Sequence, residues 1–300
     1  MALSLESLQV LDAIERNGSF AAAAAELHRV PSAVTYTVQR LEEGLGVALF
    51  DRGGHRAQLT EAGAVVLAQG RPILEAANDL EATVRRVATG WEAELRIAVD
   101  GLFPIAALYP LLERFYAEQP HLNVRLNREI LAGAWDALLE GRADLVVGAT
   151  GEGPPGGGYA VRPLGELSFA MVAAPSHPLA ERAQPVGAAE LRRYRAVAVA
   201  DTARARPVRT AGLQSGQPVL TVPDQEAKLA ALLQGLGVAH LPRHAAAAHL
   251  RSGALCEVPL AEPMPPAPTY LAWRSPVRGR ALDWFVAALA DGEGLGPFLG

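Results

Sequence analysis

The chain has 300 residues, half of them hydrophobic, and a formal net charge of −5. This length predicts two or three domains with a sizeable core. The single cysteine, Cys256, excludes an intramolecular disulfide and a cysteine-only zinc site. No apolar run is long enough to span a bilayer, and Asp12 and Glu15 within the first helical pattern do not fit a signal peptide. We therefore expect a soluble, cytoplasmic protein with no membrane partner.

Three helices and a turn are predicted in the first part of the chain. Residues 3–17 carry apolar side chains at three-residue steps, which is typical of an amphipathic helix. Ser19 can cap a short Ala-rich helix that runs to Leu27. After a turn at residues 28–30, Pro31 occupies the first position of another helix, where its missing N–H costs nothing. That helix should bury one face, made of Val34, Val38, Leu41 and Leu45.

The opposite face of this helix carries hydrogen-bonding side chains of Ser32, Thr35, Tyr36, Gln39 and Arg40. A short helix, a tight turn and a polar-faced helix form a helix-turn-helix pattern, although a solvated helical hairpin gives the same spacing. A strand from Leu49, a turn at Gly53-Gly54 and a strand ending at Leu59 then predict a small wing.

Thr60 is expected to cap a long helix that Gly90 ends. Its apolar residues alternate steps of four and three, at Val66, Gly70, Ile73, Ala77, Leu80, Val84 and Val87. A heptad seam of this length predicts a two-stranded coiled coil with a partner helix; the alternative is packing on the helix's own domain. Pro72 should kink the helix.

Beyond Gly90, strands alternate with helices, which predicts a parallel sheet with helices on both faces. We expect strands at 95–99, 124–127 and 145–149, and helices at 105–118 and 135–140. Residues 151–158 form a Gly-Pro surface loop that lacks the features of a phosphate loop. A second α/β unit follows, with strands at 169–174, 196–199, 219–222 and 238–241 and a helix at 224–234.

The Pro-rich stretch 263–268 predicts a second crossing between the two α/β units. Residues 270–273 and 282–289 then return to the first unit. Two α/β lobes joined by two crossovers form a hinged cleft.

Several short runs carry a resemblance to a known family. They are Phe20-Ala21-Ala22-Ala23-Ala24, Leu27, Ala33-Val34-Thr35, Arg40-Leu41-Glu42, Leu45-Gly46-Val47, Leu49-Phe50-Asp51-Arg52 and Leu59-Thr60-Glu61-Ala62-Gly63, and more weakly Gly141-Arg142-Ala143-Asp144-Leu145, Ser176-His177-Pro178-Leu179-Ala180 and residues 235–242. With these runs the chain resembles the LysR-type transcriptional regulators. The resemblance covers nearly the whole chain.

The resemblance implies an α + α/β fold in three parts. These are a winged helix-turn-helix DNA-binding domain over 1–60, a linker and dimerisation helix over 61–90, and an effector-binding domain over 91–300 that resembles periplasmic solute-binding proteins. Within the last part, lobe 1 is expected at 91–162 and 268–300, and lobe 2 at 163–267. The function implied is a DNA-binding transcriptional regulator, a homodimer and homotetramer that works with RNA polymerase and responds to a small-molecule effector.

Register with that family assigns the operator contacts. Base-edge contacts fall on Pro31, Ser32, Thr35 and Tyr36, and phosphate contacts on Arg29, Arg52 and Arg56. Gln39 is expected to be a further DNA-binding residue. Many members have Gln at the place of Pro31 and Pro at the place of Ser32, so the operator cannot be taken from relatives. Residues 1–60 hold five arginines against seven acids, which implies few phosphate contacts per subunit and a need for dimerisation.

Ligands of open α/β sheets bind beyond the carboxyl ends of the strands. This rule selects Asp100, Gly101, Leu102, Phe103, Ile130, Leu131, Thr150, Asp201, Thr202 and Pro223. Helix N-termini at Pro104 and Asp224 offer N–H groups to an anion. Many LysR-type proteins bind small carboxylates, so we expect an organic acid with an aromatic or apolar body and no cofactor. Its carboxylate should avoid Asp100, which can accept a bond from an N–H or O–H group.

No catalytic motif such as Gly-x-Ser-x-Gly or His-Glu-x-x-His occurs, so we do not expect an enzyme. His240, His244 and His249 form either a metal site or a group of surface histidines. The alternative reading of the whole chain is a cytoplasmic small-molecule-binding or enzymatic α/β protein whose N-terminal domain serves as an interaction module.

Overall fold

A computed structural model describes residues 3–51, 57–151, 153–182, 184–275, 279–292 and 294–299. The chain divides into two compact units, residues 1–88 and 89–300. Among the residues described, no helix combines the length and the apolar character that crossing a membrane requires.

The first unit opens with three helices, α1 (Leu5–Asn17), α2 (Phe20–Glu26) and α3 (Pro31–Leu45). The predicted caps are present, because the Ser19 hydroxyl accepts the Ala22 N–H at 3.0 Å and Pro31 opens α3. The apolar sides of these helices form one core, which contains Leu11, Ile14, Ala23, Val34, Val38 and Leu41. The predicted buried face of α3 is thus confirmed, with Leu45 half-buried at its end.

A short hairpin follows, in which β1 (Phe50–Asp51) pairs antiparallel with β2 (Gln58–Leu59). The carboxylate of Glu42 on α3 accepts the N–H of Leu49 at 2.7 Å and so fixes the start of the hairpin. The predicted Gly53-Gly54 turn, together with Arg52, His55 and Arg56, lies outside the described residues.

The long helix α4 spans Glu61–Thr89. Thr60 caps it as predicted, since its hydroxyl accepts the Gly63 N–H at 3.0 Å and donates to the Ala48 carbonyl at 2.8 Å. A Cβ at position 63 would lie 2.1 Å from the Leu49 carbonyl oxygen. Glycine is therefore required where α4 meets the hairpin.

The predicted seam of α4 divides into two parts. Val66 packs against the core of the first unit, and Gly70 abuts Leu8 of α1. The expectation that all seven seam positions face a partner helix is wrong for these two, because α1 already covers that part of α4. The later seam residues Ile73, Leu80, Val84 and Val87 are 53–82% exposed.

The second unit contains the remaining elements. Its strands are β3 (Glu94–Asp100), β4 (Asn123–Glu129), β5 (Leu145–Thr150), β6 (Tyr159–Leu167), β7 (Phe169–Ala173), β8 (Ala196–Val199), β9 (Val219–Val222), β10 (Ala239–Pro242), β11 (Cys256–Glu257) and β12 (Ala267–Arg274). Its α-helices are α5 (Tyr109–Glu118), α6 (Ala132–Leu139), α7 (Ala188–Leu191), α8 (Gln225–Leu233), α9 (Arg243–Arg251) and α10 (Arg280–Ala290). Short 3-10 turns lie at Ile105–Leu108 and Gly296–Phe298.

Lobe 1 is built on a sheet with strand order β4-β3-β5-β12-β6. Its first three strands are parallel, but β12 runs antiparallel to both β5 and β6. The expectation of a parallel sheet is therefore wrong for one strand, since β12 runs opposite to the other four. Apolar residues of α5 and α10 cover one face of the sheet, and α6 covers the other.

Lobe 2 contains two sheets, with strand order β10-β7-β11 and β8-β9. A bridge between Ala196 and Val238 connects them. The Asp224 carboxylate caps α8, and Gly235 follows its end at a φ of +72°, as predicted. The sequence interpretation missed α7, α9 and β11.

The predicted boundary between the lobes needs a correction. Strand β6 pairs with β12 along its whole length, from Tyr159↔Arg274 to Leu167↔Ala267. The boundary placed at 162/163 thus falls inside a strand of lobe 1. The first crossing comes after Leu167, because the pairing with β12 keeps residues 163–167 in the first sheet.

Candidate DNA-binding surface and effector cleft

The outer face of α3 is open to solvent. Tyr36 is 63% exposed, and Pro31, Ser32, Thr35, Gln39 and Arg40 are also exposed. The Thr35 hydroxyl donates to the Pro31 carbonyl at 3.0 Å, which leaves its oxygen free to accept a bond. These residues lie opposite the buried face of α3, so the helix can present all of them to a groove at once.

Several charged residues near α3 form ion pairs, which the count of arginines and acids in residues 1–60 does not show. Arg29, a predicted phosphate contact, pairs with Glu6 of α1. The other acids of α1, Asp12 and Glu15, bind Arg71 at 2.8 and 2.9 Å. Much of the acidic excess in residues 1–60 is therefore held in ion pairs on α1. The two further predicted phosphate contacts, Arg52 and Arg56, are not among the described residues.

In the second unit, one segment of lobe 2 lies directly against lobe 1. This segment, residues 201–209 after β8, is called here the crossing segment. The Asp201 carboxylate accepts the N–H groups of Ala132 and Gly133, at 3.3 and 3.1 Å, at the start of α6. It also accepts the Arg209 N–H at 2.6 Å. A carboxylate of lobe 2 thus occupies the positive end of a lobe 1 helix.

Thr202 makes a second attachment to lobe 1. Its hydroxyl donates to Glu129 Oε2 at 2.5 Å and accepts the Ile130 N–H at 2.9 Å. A Cβ at Gly133 would lie 1.9 Å from Thr202 Oγ1, so only glycine fits beneath this contact.

Asp136 and Arg142 complete the attachment of the crossing segment. The fully buried Asp136 carboxylate accepts the N–H groups of Arg204 and Ala205, at 3.0 and 3.1 Å, and a bond from Arg142 at 2.9 Å. Burial alone would raise the pKa of Asp136, but these three donors outweigh it and lower the pKa. Arg142 also pairs with Glu129.

Sequence reasoning gave no role to Asp136 or Arg142. Arg142 was noticed only within a run shared with a family, and its partners Glu129 and Asp136 lie 13 and 6 positions away. Their only signal in the sequence was the order of strand, helix and strand around them. This order does not predict that the crossing segment packs against them.

Asp100, the first predicted cleft residue, is only 2% exposed. Its Oδ1 accepts the Leu102 N–H at 3.0 Å, whereas its Oδ2 has no hydrogen-bond partner. Burial raises the pKa of Asp100 to about 7, and the negative charges of Asp201 and Glu129 add to the rise.

The remaining predicted cleft residues divide into accessible and inaccessible positions. Phe103 is 1% exposed and lies in the lobe 1 core beneath Gly148, so its side chain is covered by lobe 1 itself. Gly101 and Ile130 are also buried. Half-buried or exposed side chains belong to Leu102, Leu131, Thr150 and Pro223. Leu131 has a φ of +55°, which turns the chain sharply into α6.

The two predicted anion sites at helix N-termini are not simple open termini. Pro104 precedes a four-residue 3-10 turn, Ile105–Leu108, rather than a long helix. Asp224 places its own carboxylate at the start of α8, where it accepts the Ala227 N–H at 2.8 Å. A carboxylate ligand would meet a negative charge at α8, and Asp201 already occupies the start of α6.

A buried cation lies in lobe 2. Lys228 of α8 is 8% exposed and donates from Nζ to the His240 carbonyl oxygen at 2.8 Å. Burial lowers the pKa of Lys228 to about 8. Both ring nitrogens of His240 are buried without a hydrogen-bond partner. Burial and the charge of Lys228 lower the pKa of His240 to about 4, so its ring is neutral at pH 7.

The histidine group shows no metal-binding geometry in the part of the chain that the structure describes, where no group of three His, Cys, Asp or Glu side chains could hold a metal ion. His244 instead contacts the Leu102 carbonyl oxygen with Nε2 at 3.0 Å and packs edge-on against Phe298. Cys256 is half-buried in β11.

Two family models match the chain. The bacterial regulatory helix-turn-helix protein, lysR family, matches residues 5–64, and the LysR substrate binding domain matches residues 88–293. The chain belongs to the LysR family of transcriptional regulators. It is thus a DNA-binding transcriptional regulator with an effector-binding domain, and α3 lies within the part that matches the helix-turn-helix model.

Relatives agree with this assignment over almost the whole length. The LysR-type regulator is 44% identical to the probable HTH-type transcriptional regulator YhaJ of Escherichia coli, over 94% of each chain. It is 40% identical to the uncharacterized HTH-type transcriptional regulator YeeY of the same organism, over 94% of this chain and 91% of the relative. Full-length CbnR complexed with its target DNA has a similar fold, with a TM-score of 0.63 at 23% identity, over 96% and 99% of the two chains.

The tight contact at Gly133 gives a test of the lobe attachment in this LysR-type regulator. Gly133→Ala should displace Thr202 from Glu129 and destabilise the effector-binding unit by about 1–3 kcal/mol, the usual cost of overpacking. Urea unfolding monitored by tryptophan fluorescence measures the change. Gly187→Ala is the matched control, because its φ is −86° and nothing lies within 4 Å of the added carbon. Equal stability of the two variants would contradict the contact.

Proposed function

We propose that this regulator reads its operator with the exposed face of α3. The observation that carries the proposal is the division of α3 into a buried apolar face and an exposed face of small hydrogen-bonding groups. Base-edge contacts are assigned to Ser32, Thr35, Tyr36 and Gln39, and Pro31 offers only apolar contact. Phosphate contacts are assigned to Arg29, Arg52 and Arg56, and Arg29 must exchange Glu6 for phosphate.

Tyr36→Ala tests the assignment of base reading. We expect it to cost about 1–3 kcal/mol on operator DNA while sparing random DNA of the same length. Fluorescence anisotropy with the intergenic DNA upstream of the regulator's own gene measures both. Tyr109→Ala removes a tyrosine of similar exposure, 58%, from the other unit and should change neither affinity. An equal loss on operator and random DNA would remove Tyr36 from the base-reading set.

The proposed assembly is a homodimer through α4, and a tetramer of two such dimers. The exposed side chains of Ile73, Leu80, Val84 and Val87 support it, because monomeric proteins rarely leave a contiguous apolar stripe on a helix uncovered. Pairing of two subunits also offsets the small number of phosphate contacts that one subunit can make. RNA polymerase is proposed as a further partner, and a cytoplasmic location is proposed because the operator DNA is found there. No catalytic role is proposed.

The proposed effector is a small organic acid with an aromatic or apolar body, bound between the lobes. The buried ammonium group of Lys228 supports a carboxylate, and it replaces the helix N-termini as the expected anion partner. The half-buried Leu102 and Leu131 supply apolar surface at the carboxyl ends of the lobe 1 strands. Binding between lobes joined by two crossovers can shift their arrangement and thereby change the DNA complex.

Calorimetry of the full-length regulator against aromatic and aliphatic carboxylic acids tests the proposed effector. Lys228→Met should weaken acid binding by about tenfold or more, as expected for a hydrogen bond to a charged group. Arg251→Met, which removes an exposed cation from α9, should have no effect. Binding of sugars or metal ions alone would overturn the proposal.

A further inference from the structure

Two buried groups of opposite charge lie on the two lobes without a charged partner. Asp100 of lobe 1 and Lys228 of lobe 2 are 2% and 8% exposed. Within the described residues, Asp100 bonds only to the Leu102 N–H and Lys228 only to the His240 carbonyl. A buried charge without a counter-charge is costly, so each group is better stabilised once a ligand supplies the opposite charge.

A continuous set of contacts connects the two groups. Lys228 holds the carbonyl of His240, and His244, four residues further on, holds the carbonyl of Leu102. Leu102 in turn donates its N–H to Asp100. The chain segment between His240 and His244 spans at most about 14 Å, so this path joins the two charges through one contact between the lobes. A ligand that reaches both charges must open this contact, because Asp100 Oδ2 and the His240 ring nitrogens are buried.

We propose that the effector is an amino-carboxylic acid, whose ammonium group binds Asp100 Oδ2 and whose carboxylate binds Lys228 and the His240 ring. This inference rests on the proposed effector site and adds a nitrogen group that a plain organic acid lacks. The buried Oδ2 atom of Asp100 has no hydrogen-bond partner and can accept a bond from an ammonium group. The neutral ring of His240, whose carbonyl oxygen binds Lys228, can donate an N–H to a carboxylate. The raised pKa of Asp100 agrees with a site that lacks its cation.

Neither a metal cation nor a second acid fits this arrangement as well. A divalent metal needs several oxygen or nitrogen ligands, but Glu129 is bound by Arg142 and Thr202, and Asp201 by four N–H groups. A ligand with two carboxylates would bring a negative charge to Asp100, beside Asp201 and Glu129. An ammonium group is the ligand chemistry that all three carboxylates favour.

The experiment compares matched probes on the full-length regulator. Each amino acid of a panel is measured beside the acid without its amino group and the amine without its carboxylate, for example phenylalanine, 3-phenylpropionate and phenethylamine. The series glycine, β-alanine, 4-aminobutyrate and 5-aminovalerate places the ammonium and carboxylate groups increasingly far apart. The member that binds most tightly therefore measures the distance between the two binding groups of the protein. We expect at least one amino acid to bind about tenfold or more tightly than either of its partial analogues.

Two variants locate the groups. Asp100→Asn should abolish the preference for the amino acid over the plain acid, because the amide carries no negative charge to pair with the ammonium group. Glu226→Gln on α8 is the control and should change nothing. If acids bind but no amino acid binds more tightly, the inference is overturned and the proposed acid effector stands. If no acid or amino acid binds the wild-type regulator, both are overturned. The comparison of each amino acid with its partial analogues needs only the wild-type regulator, so it remains decisive even if a variant fails to fold.

Discussion

Replacing Leu80 and Val84 of α4 by aspartate is expected to dissociate the dimer and to remove specific DNA binding with it. These side chains are 64% and 60% exposed in one chain, so the substitutions should not disturb the fold of the monomer. In a coiled-coil seam, however, they would bury four unpaired carboxylates between two helices, at a cost of several kcal/mol. Sedimentation velocity should show a monomer with unchanged helical circular dichroism.

The matched control places the same charges on the other side of α4. Ala68→Asp together with Asn78→Asp alters two exposed positions outside the seam and adds the same net charge. This variant should remain a dimer and keep its operator affinity. If the seam variant also sediments as the wild type does, α4 is not the dimer interface. The DNA-binding unit would then have to pair through another surface.

The first unit could be predicted well because its signals are local. Ser19, Pro31 and Thr60 each act on backbone groups within three residues, and such caps follow directly from the sequence. The prediction that the whole seam of α4 faces a partner helix was only partly correct. Periodicity identifies an apolar face of a helix but not the element that covers it. Gly70 belongs to the same stripe as Val84, yet Leu8 of the same chain lies against it.

The second unit was predicted less completely because its decisive contacts are distant in sequence. Residues 163–167 stay in lobe 1 only because they pair with β12, about one hundred positions later. Asp201 was selected as a cleft residue by the strand-end rule, but its bonds to Ala132 and Gly133 span nearly 70 residues. Phe103 obeys the same rule and is nevertheless in the core, because Gly148 leaves space for its ring.

A pH dependence of stability is the second large effect, and Asp100 is its source. The folded protein raises the pKa of this carboxyl group from 3.8 to about 7, so the protonated form is favoured on folding. Its contribution to stability is therefore fully present below pH 4 and is lost as the pH rises through 7. A shift of about three units corresponds to on the order of 4 kcal/mol at pH 8 or above.

Asp100→Asn removes this titration while keeping an acceptor for the Leu102 N–H. Relative to the wild type, the variant should gain stability steadily between pH 5 and pH 8. All four tryptophans, Trp91, Trp135, Trp273 and Trp284, lie in the second unit, so urea unfolding followed by tryptophan fluorescence reports on that unit alone. Asp291→Asn, at an exposed acid after α10, is the control and should leave the pH profile of the wild type unchanged.

The same titration connects stability to the ligand. An ammonium group beside Asp100 favours the ionised carboxylate, so a bound amino acid should offset the loss of stability between pH 6 and pH 8. The wild type with a saturating amino acid should then approach the profile of Asp100→Asn. The lowered pKa of His240 acts on both proteins and cancels in their difference. A difference in unfolding free energy between the unliganded wild type and Asp100→Asn that does not change between pH 5 and pH 8 would contradict the raised pKa of Asp100, and it would remove this carboxyl group as the proposed acceptor for an ammonium group.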